Sequence, residues 1–207
     1  MGTTTKNNTK YVSFLLDETG SMQEIKRDTM GGFNEYVETL KKDGGYIAFS
    51  VMSFNSNETK SRYVAEPIGA LAPLTNENYR PAAMTPLIDA SVKIIKATAK
   101  AVKKRKDDPL VLVVIQTDGY ENASRRHTTA DLAALVKKKT DAGWEFVFLG
   151  AGLDAFLAAF DDLEFEEVRL LLLSDHLDHD QGIAWMHPVS ARAAVANWPR
   201  TSRDTLI

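Results

Sequence analysis

At residues 16–22 the chain reads Leu-Asp-Glu-Thr-Gly-Ser-Met. This stretch follows a short apolar run at residues 11–16, which is typical of a buried strand, and it precedes a long helical pattern. Asp17, Thr19 and Ser21 alternate along the loop between strand and helix, so three oxygen-bearing side chains can turn toward one point. The stretch therefore predicts a strand, an oxygen-rich loop and a helix in succession.

Two more oxygen-bearing side chains stand at comparable places further along the chain. Thr85 lies at the head of a second helical pattern, and Asp118 follows a second apolar run at residues 110–115. Ligands of open parallel sheets bind at the edge formed by the carboxyl ends of the strands, where both aspartates are expected. We therefore interpret five residues as one metal site: Asp17, Thr19, Ser21, Thr85 and Asp118.

The residue types of this set favour a hard divalent cation. Two carboxylates and three hydroxyls give an all-oxygen site, which suits Mg²⁺ because that ion prefers oxygen ligands and often keeps bound water. The two carboxylates also balance a divalent charge, so Mg²⁺ or Mn²⁺ is the expected cofactor. The alternative is that Asp17 and Ser21 merely cap the following helix, which is the better explanation of Asp17 taken alone, so the whole set carries the prediction.

Strand and helix patterns alternate along the chain. The predicted strands lie at residues 11–17, 46–54, 61–68, 110–117, 144–149 and 168–173. The predicted helices begin at residues 22, 86, 128, 153 and 191. This alternation predicts an α/β fold with a mostly parallel sheet and helices on both faces. Pro67 places the third strand at an edge.

Three local features add detail to this prediction. Gly31 and Gly32 interrupt the first helix, and we attribute both to close packing against the sheet. Thr128-x-x-Asp131 resembles a capping box and starts the third helix. A row of lysines along the second helix is expected to be its solvated face: Lys93, Lys96, Lys100 and Lys103.

Composition limits the function classes. The 207 residues suit one large domain, or one domain with an extension, and the chain is 44% hydrophobic. A net charge of −3 gives no case for nucleic acid, and the absence of cysteine excludes disulfides and thiolate sites. The apolar runs are too short to span a bilayer, and residues 1–10 lack a signal core. We expect a soluble cytoplasmic protein.

The candidate ligands form a motif, Asp17-x-Thr19-x-Ser21 with Thr85 and Asp118-Gly119, which resembles the metal-ion-dependent adhesion site of von Willebrand factor type A (vWA) domains. Residues 29–34, 116–124 and 144–150 are similar to stand-alone members carried by bacteria and phages. Thr19 replaces the more usual serine, and Ala83-Met84 stands where relatives often have glycine. The resemblance covers about residues 11–160.

The resemblance implies a Rossmann-like fold of three layers with its core at residues 11–160. We expect a polar tail at residues 1–10, and a C-terminal strand and helix at residues 161–207 that complete the domain. The resemblance also implies how the ligands would act. Ser21, Thr19 and Thr85 would contact the cation directly, whereas Asp17 and Asp118 would act through water.

The resemblance further implies binding rather than catalysis. A cation held largely by neutral hydroxyls and water keeps an electrophilic position, which suits a carboxylate from outside. We therefore expect a protein partner that supplies an Asp or Glu, with the loops around Glu18, Met84 and Tyr120 setting specificity. Neither nucleic acid nor a membrane is expected as a partner.

Two other functions are compatible with the sequence. Residues 17–21 also resemble the nucleophile loop of haloacid-dehalogenase-type phosphotransferases, in which the aspartate attacks phosphorus with help from Mg²⁺. A structural role in assembly, with a virion location if a phage encodes the chain, is a third class. Residues 175–180, Asp-His-Leu-Asp-His-Asp, carry zinc-type ligands, but we predict a polar loop there.

Overall fold

The computed structural model describes residues 9–42, 45–118, 121–150 and 168–172. Within these ranges six strands form one sheet: β1 Lys10–Asp17, β2 Ile47–Phe54, β3 Thr59–Pro67, β4 Leu110–Thr117, β5 Glu145–Gly150 and β6 Val168–Leu172. The α-helices of the same ranges are α1 Lys26–Lys42, α2 Leu87–Lys103 and α3 Thr129–Thr140. Short 3-10 turns lie at Gly20–Gln23 and Ile68–Ala70.

The strand order is β3-β2-β1-β4-β5-β6. Every neighbouring pair is parallel except β2 and β3, so the predicted α/β fold with a mostly parallel sheet is confirmed. The edge position of the third strand is also confirmed. The pairing of β2 with β3 is irregular, since its register shifts twice and Ala65 has a φ of 54°.

Helices cover both faces of the sheet, as predicted. Along β1, Tyr11 and Leu15 pack in the cluster that contains the buried side chains of α2 and α3. Val12, Phe14 and Leu16 point to the opposite face and pack with the buried residues of α1. This alternation follows from the period of two along a strand, and apolar runs such as that of β1 result because both faces are buried.

Local boundaries differ in small ways from the prediction. The helix predicted from residue 22 begins as the 3-10 turn, and α1 starts only at Lys26. The capping box is confirmed, because the Thr128 side chain accepts from the Asp131 backbone while the Asp131 carboxylate accepts from the Thr128 backbone. The predicted helices at residues 153–160 and 191–198, and the loop at residues 175–180, lie outside the described residues.

The proposed explanation of the glycine pair in α1 is wrong for one of its members. Gly32 is buried, in keeping with packing. Gly31 is exposed, and a Cβ atom built on it meets nothing within 4 Å. Adjacent helical residues point about 100° apart, and Gly31 falls outside the buried face of α1, which includes Gly32 and Phe33. Gly31 therefore increases the conformational entropy of the unfolded chain, which lowers the free energy of unfolding, and no packing contact of the folded helix offsets this loss.

Replacing Gly31 with alanine should stabilise the protein by about 0.5–1 kcal/mol, since alanine loses less backbone entropy in a helix interior. Urea unfolding of wild type and Gly31→Ala measures this difference. Gly143→Ala is the matched control, because Gly143 has equally open surroundings but a φ of +81°. The control should be destabilised, and a Gly31→Ala variant no more stable than wild type would contradict the explanation.

Candidate metal centre

The loop after β1 folds around the Asp17 carboxylate. Asp17 ends the strand and is fully buried, as is Thr19. The Thr19 backbone N–H donates to Asp17 Oδ1 at 2.7 Å, a local turn that aspartate side chains favour. The Thr19 and Ser21 hydroxyls lie 3.3 Å apart. The three alternating side chains of the motif are thereby gathered on one side of the loop.

The loop after β4 supplies the second carboxylate. The Ser21 hydroxyl donates to Asp118 Oδ1 at 2.9 Å. β1 and β4 are parallel neighbours in the sheet, so their carboxyl ends lie side by side. The structure therefore brings together four of the five predicted ligands, and the Ser21–Asp118 hydrogen bond spans 97 residues of sequence. Their role as metal ligands stays a prediction.

Thr85 approaches the same edge through backbone contacts of its own loop. The Gly20 N–H donates to the Ala83 carbonyl at 2.9 Å, and the Ala82 N–H donates to the Glu18 carbonyl at 2.9 Å. Thr85 itself is buried, and its N–H donates to Asn122 Oδ1 at 2.8 Å. The loop carrying Thr85 is thus fixed between the loops after β1 and β4.

The backbone at Gly20 and Ala83 allows the two loops to come this close. A Cβ atom on Gly20 would lie 3.3 Å from the Ala83 carbonyl oxygen, so glycine permits the close contact of the two loops. Ala83 has a φ of 68°, a left-handed conformation that costs an alanine roughly 1–2 kcal/mol. A glycine would adopt this conformation without that cost.

Sequence reasoning missed two residues that hold Asp17. The Thr117 hydroxyl donates to Asp17 Oδ2 at 2.5 Å, and the hydroxyl of the fully buried Tyr79 donates to the Asp17 carbonyl at 2.7 Å. Thr117 could have been found, since pairing the ends of the two apolar runs places it beside Asp17. Tyr79 lies in an irregular loop 62 residues away and gives no sequence signal.

Burial also changes the protonation of the site. Desolvation raises the pKa of Asp17 from 3.8 to about 6, although the hydrogen bonds from Thr117 and Thr19 oppose the rise. Burial likewise raises the pKa of Asp118, and the Ser21 hydrogen bond opposes it. Two desolvated carboxyl groups at one edge favour their neutral forms, and a bound cation would favour the ionised forms instead.

The residues expected to set specificity differ in their surroundings. The Glu18 carboxylate pairs with Arg62 at 2.7 Å and accepts from the Arg80 N–H at 2.7 Å, so it is engaged within the chain. The Met84 side chain is 52% exposed beside Thr85. Tyr120 lies outside the described residues. Of the two described residues, Met84 has the exposure that contact with a partner needs.

A third unpredicted residue, Glu121, closes the start of α2. The helix follows Pro86, which provides no side-chain cap. Glu121 Oε2 instead accepts from the Ile88 N–H at 2.8 Å, and Oε1 accepts from the N–H groups of Ala123 and Ser124 at 2.8 and 2.6 Å. The segment following Asp118 is thereby attached to the helix that follows Thr85.

Glu121→Gln should destabilise the fold by roughly 1–3 kcal/mol, because the amide keeps one acceptor oxygen but loses the charge and the second acceptor. Chemical unfolding checks the value. The control is Glu35→Gln on the exposed side of α1, which should change the free energy of unfolding by less than about 0.5 kcal/mol. Equal effects of the two substitutions would show that Glu121 has no special role.

The donor set fits a hard cation. In the described part of the chain, no group of three or more His, Asp or Glu side chains is placed to hold a metal ion. A cation at the β1–β4 edge would therefore depend on hydroxyl oxygens as well as the two carboxylates. Asp17, Thr19, Ser21 and Asp118 supply that mixture in one hydrogen-bonded chain. This chemistry matches the preference of Mg²⁺ and Mn²⁺ for oxygen.

Comparison with solved structures identifies the fold. A von Willebrand factor type A structure from Catenulispora acidiphila is 17% identical with a TM-score of 0.50, over 80% of this chain and 38% of that one. The manganese-loaded TRAP protein of Plasmodium vivax is 13% identical with a TM-score of 0.53, over 90% and 72% of the two chains. The SpRpn10 VWA domain is 13% identical with a TM-score of 0.51, over 79% and 87%.

These similarities show that the chain has the vWA fold. The chain spans less than two fifths of the length of the Catenulispora protein. No protein-family model and no curated protein matches the sequence. Separately, none of the helices in the described ranges is long and apolar enough to cross a membrane.

The pKa of Asp17 predicts a pH-dependent effect of Mg²⁺. Because the folded-state pKa of about 6 exceeds the ordinary 3.8, the contribution of Asp17 to stability is full below pH 3.8 and is lost as the pH rises through about 6. A cation needs the ionised form, so stabilisation by Mg²⁺ should grow between about pH 5 and about pH 7.5.

Thermal unfolding with saturating Mg²⁺ or with EDTA at these two pH values measures the effect. Asp17→Asn is the control, since it removes the titrating group and should abolish the Mg²⁺-dependent increase in melting temperature. A wild-type increase that is as large at the lower pH as at the higher would contradict the assignment of Asp17 to the site.

Proposed function

We propose that this chain is a protein-binding module that engages a carboxylate of its partner through a divalent cation. The observation that supports it best is the convergence of Asp17, Thr19, Ser21 and Asp118 at the carboxyl edge of β1 and β4. The vWA-like neighbours suggest a protein-interaction module, without indicating the surface used. The manganese-loaded TRAP structure is consistent with a divalent ion as the cofactor.

The five predicted ligands are of two kinds, charged carboxylates and neutral hydroxyls. Asp17 and Asp118 would balance the charge of Mg²⁺ or Mn²⁺, and the hydroxyls of Thr19, Ser21 and Thr85 would supply neutral oxygens. When bound, the cation would provide an electrophilic position for one outside carboxylate. A partner acid fits because it brings a hard oxygen and a negative charge together.

The surroundings of Asp17 favour binding over phosphoryl transfer. A nucleophilic aspartate must present a carboxylate oxygen to the substrate. The Asp17 side chain is fully buried, and each of its two oxygens already accepts a hydrogen bond. Such a carboxylate is suited to holding charge in place rather than to attacking phosphorus. We therefore assign no catalytic residue.

Titration calorimetry with Mn²⁺ tests the metal site. Asp118→Ala should weaken Mn²⁺ binding by at least about tenfold, because half of the balancing charge is lost. The fold should survive, since removing one of two like charges relieves repulsion. Asp141→Ala is the matched control, because this exposed carboxylate lies at the end of α3. Unchanged Mn²⁺ affinity in an Asp17→Ala, Asp118→Ala double variant would end the metal-site proposal.

The partner is found by affinity capture from lysate of the native host with Mg²⁺, with EDTA and with Asp118→Ala. Proteins recovered only by wild type in Mg²⁺ are candidates. The acidic interface residues of a candidate are then converted to amides one at a time. We expect one conversion to abolish binding. If every variant still binds in a Mg²⁺-dependent way, the partner does not use a carboxylate.

A further inference from the structure

The Asp17 carboxylate is held from both ends. The Thr19 N–H occupies Oδ1 at 2.7 Å, and the Thr117 hydroxyl occupies Oδ2 at 2.5 Å. The Tyr79 hydroxyl fixes the backbone carbonyl of the same residue at 2.7 Å. Because the side chain is fully buried, water does not compete for these positions. The plane of the carboxylate is therefore set by the protein before any ligand arrives.

The two carboxylate contacts differ in what they join. The Thr19 contact is local, since donor and acceptor are two residues apart. The Thr117 contact spans 100 residues and joins the end of β4 to the end of β1. Thr117 also directly precedes Asp118, the other carboxylate of the site. The Thr117 hydroxyl thus orients the Asp17 carboxylate from the same strand, β4, whose end carries Asp118.

Orientation matters because each carboxylate oxygen has two lone-pair directions. The hydrogen bond from Thr117 occupies one lone pair of Asp17 Oδ2 and so fixes the direction of the second lone pair of that oxygen. Without that donor the carboxylate is held at one oxygen only and can rotate. Hydrogen bonds of this kind orient metal ligands, and losing one commonly costs 10–100-fold in metal affinity.

We propose that Thr117 is a positioning residue of the cation site, acting through Asp17 rather than touching the ion. This inference rests on the proposed function, since it assumes that Asp17 serves the cation. It assigns to Thr117 a role in cation affinity beyond its contribution to the core. A valine at this position keeps the shape of the side chain but removes the donor.

The test compares Mn²⁺ affinity by calorimetry in wild type, Thr117→Val and Thr117→Ser. The valine variant should bind Mn²⁺ at least about tenfold more weakly. The serine variant keeps the hydroxyl and should restore the affinity to within about threefold of wild type, which a loss of packing alone would not allow. Circular dichroism and thermal unfolding in EDTA show that each variant is folded at the titration temperature.

Thr98→Val is the matched control. The Thr98 hydroxyl is also buried, and it lies 2.6 Å from the Ser13 hydroxyl in the packing of α2 against β1. Its loss should lower stability to a similar extent and leave Mn²⁺ affinity unchanged. The control thus separates a general loss of stability from a specific loss of positioning.

The outcomes distinguish this inference from the proposed function. Wild type that binds Mn²⁺ and a Thr117→Val variant that binds it equally well would overturn the inference alone. So would equal weakening by Thr117→Val and Thr98→Val. Wild type without measurable Mn²⁺ binding would overturn the proposed function, and the inference with it. If Thr117→Val does not fold, Thr117→Ala replaces it as the variant without the donor: Mn²⁺ affinity about tenfold below that of Thr117→Ser supports the inference, and equal affinity of the two variants overturns it.

Discussion

A buried carboxylate at the end of the central strand is the constraint on which the site depends. Placing the Asp17 charge out of water is unfavourable, and the rise of its pKa to about 6 expresses that penalty. Donors from Thr19 and Thr117 offset part of it, and Tyr79 holds the backbone in place. The three loops at this edge are arranged so that these donors reach one residue.

Much of the fold could be predicted because its signals are local. Strands buried on both faces are continuous apolar runs, so the predicted bounds of β1 and β4 agree with the observed ones to within one residue. The capping box at Thr128 and Asp131 lies within four residues, so it too could be identified. The candidate metal motif combines two such strand ends with a helix start.

The rest could not be predicted because it depends on long-range contacts between loops. Tyr79 and Glu121 act on residues 62 and 33 positions away, and both lie in irregular segments. No periodicity indicates which loop will meet which. The misassignment of Gly31 has a different cause: a glycine pair suggests close packing, but the edge of the buried face of α1 runs between Gly31 and Gly32, and no sequence signal marks that edge.

The irregular pairing of β2 with β3 affects whether another molecule can add a strand at the β3 edge of the sheet. A flat, regular edge strand presents a row of unpaired backbone groups on which another chain can add a strand. Here Ala65 turns to a φ of 54°, the register shifts twice, and Pro67 ends the strand without an N–H. This edge is consequently a poor template for intermolecular strand addition, and it offers resistance to the growth of aggregates through the β3 side of the sheet.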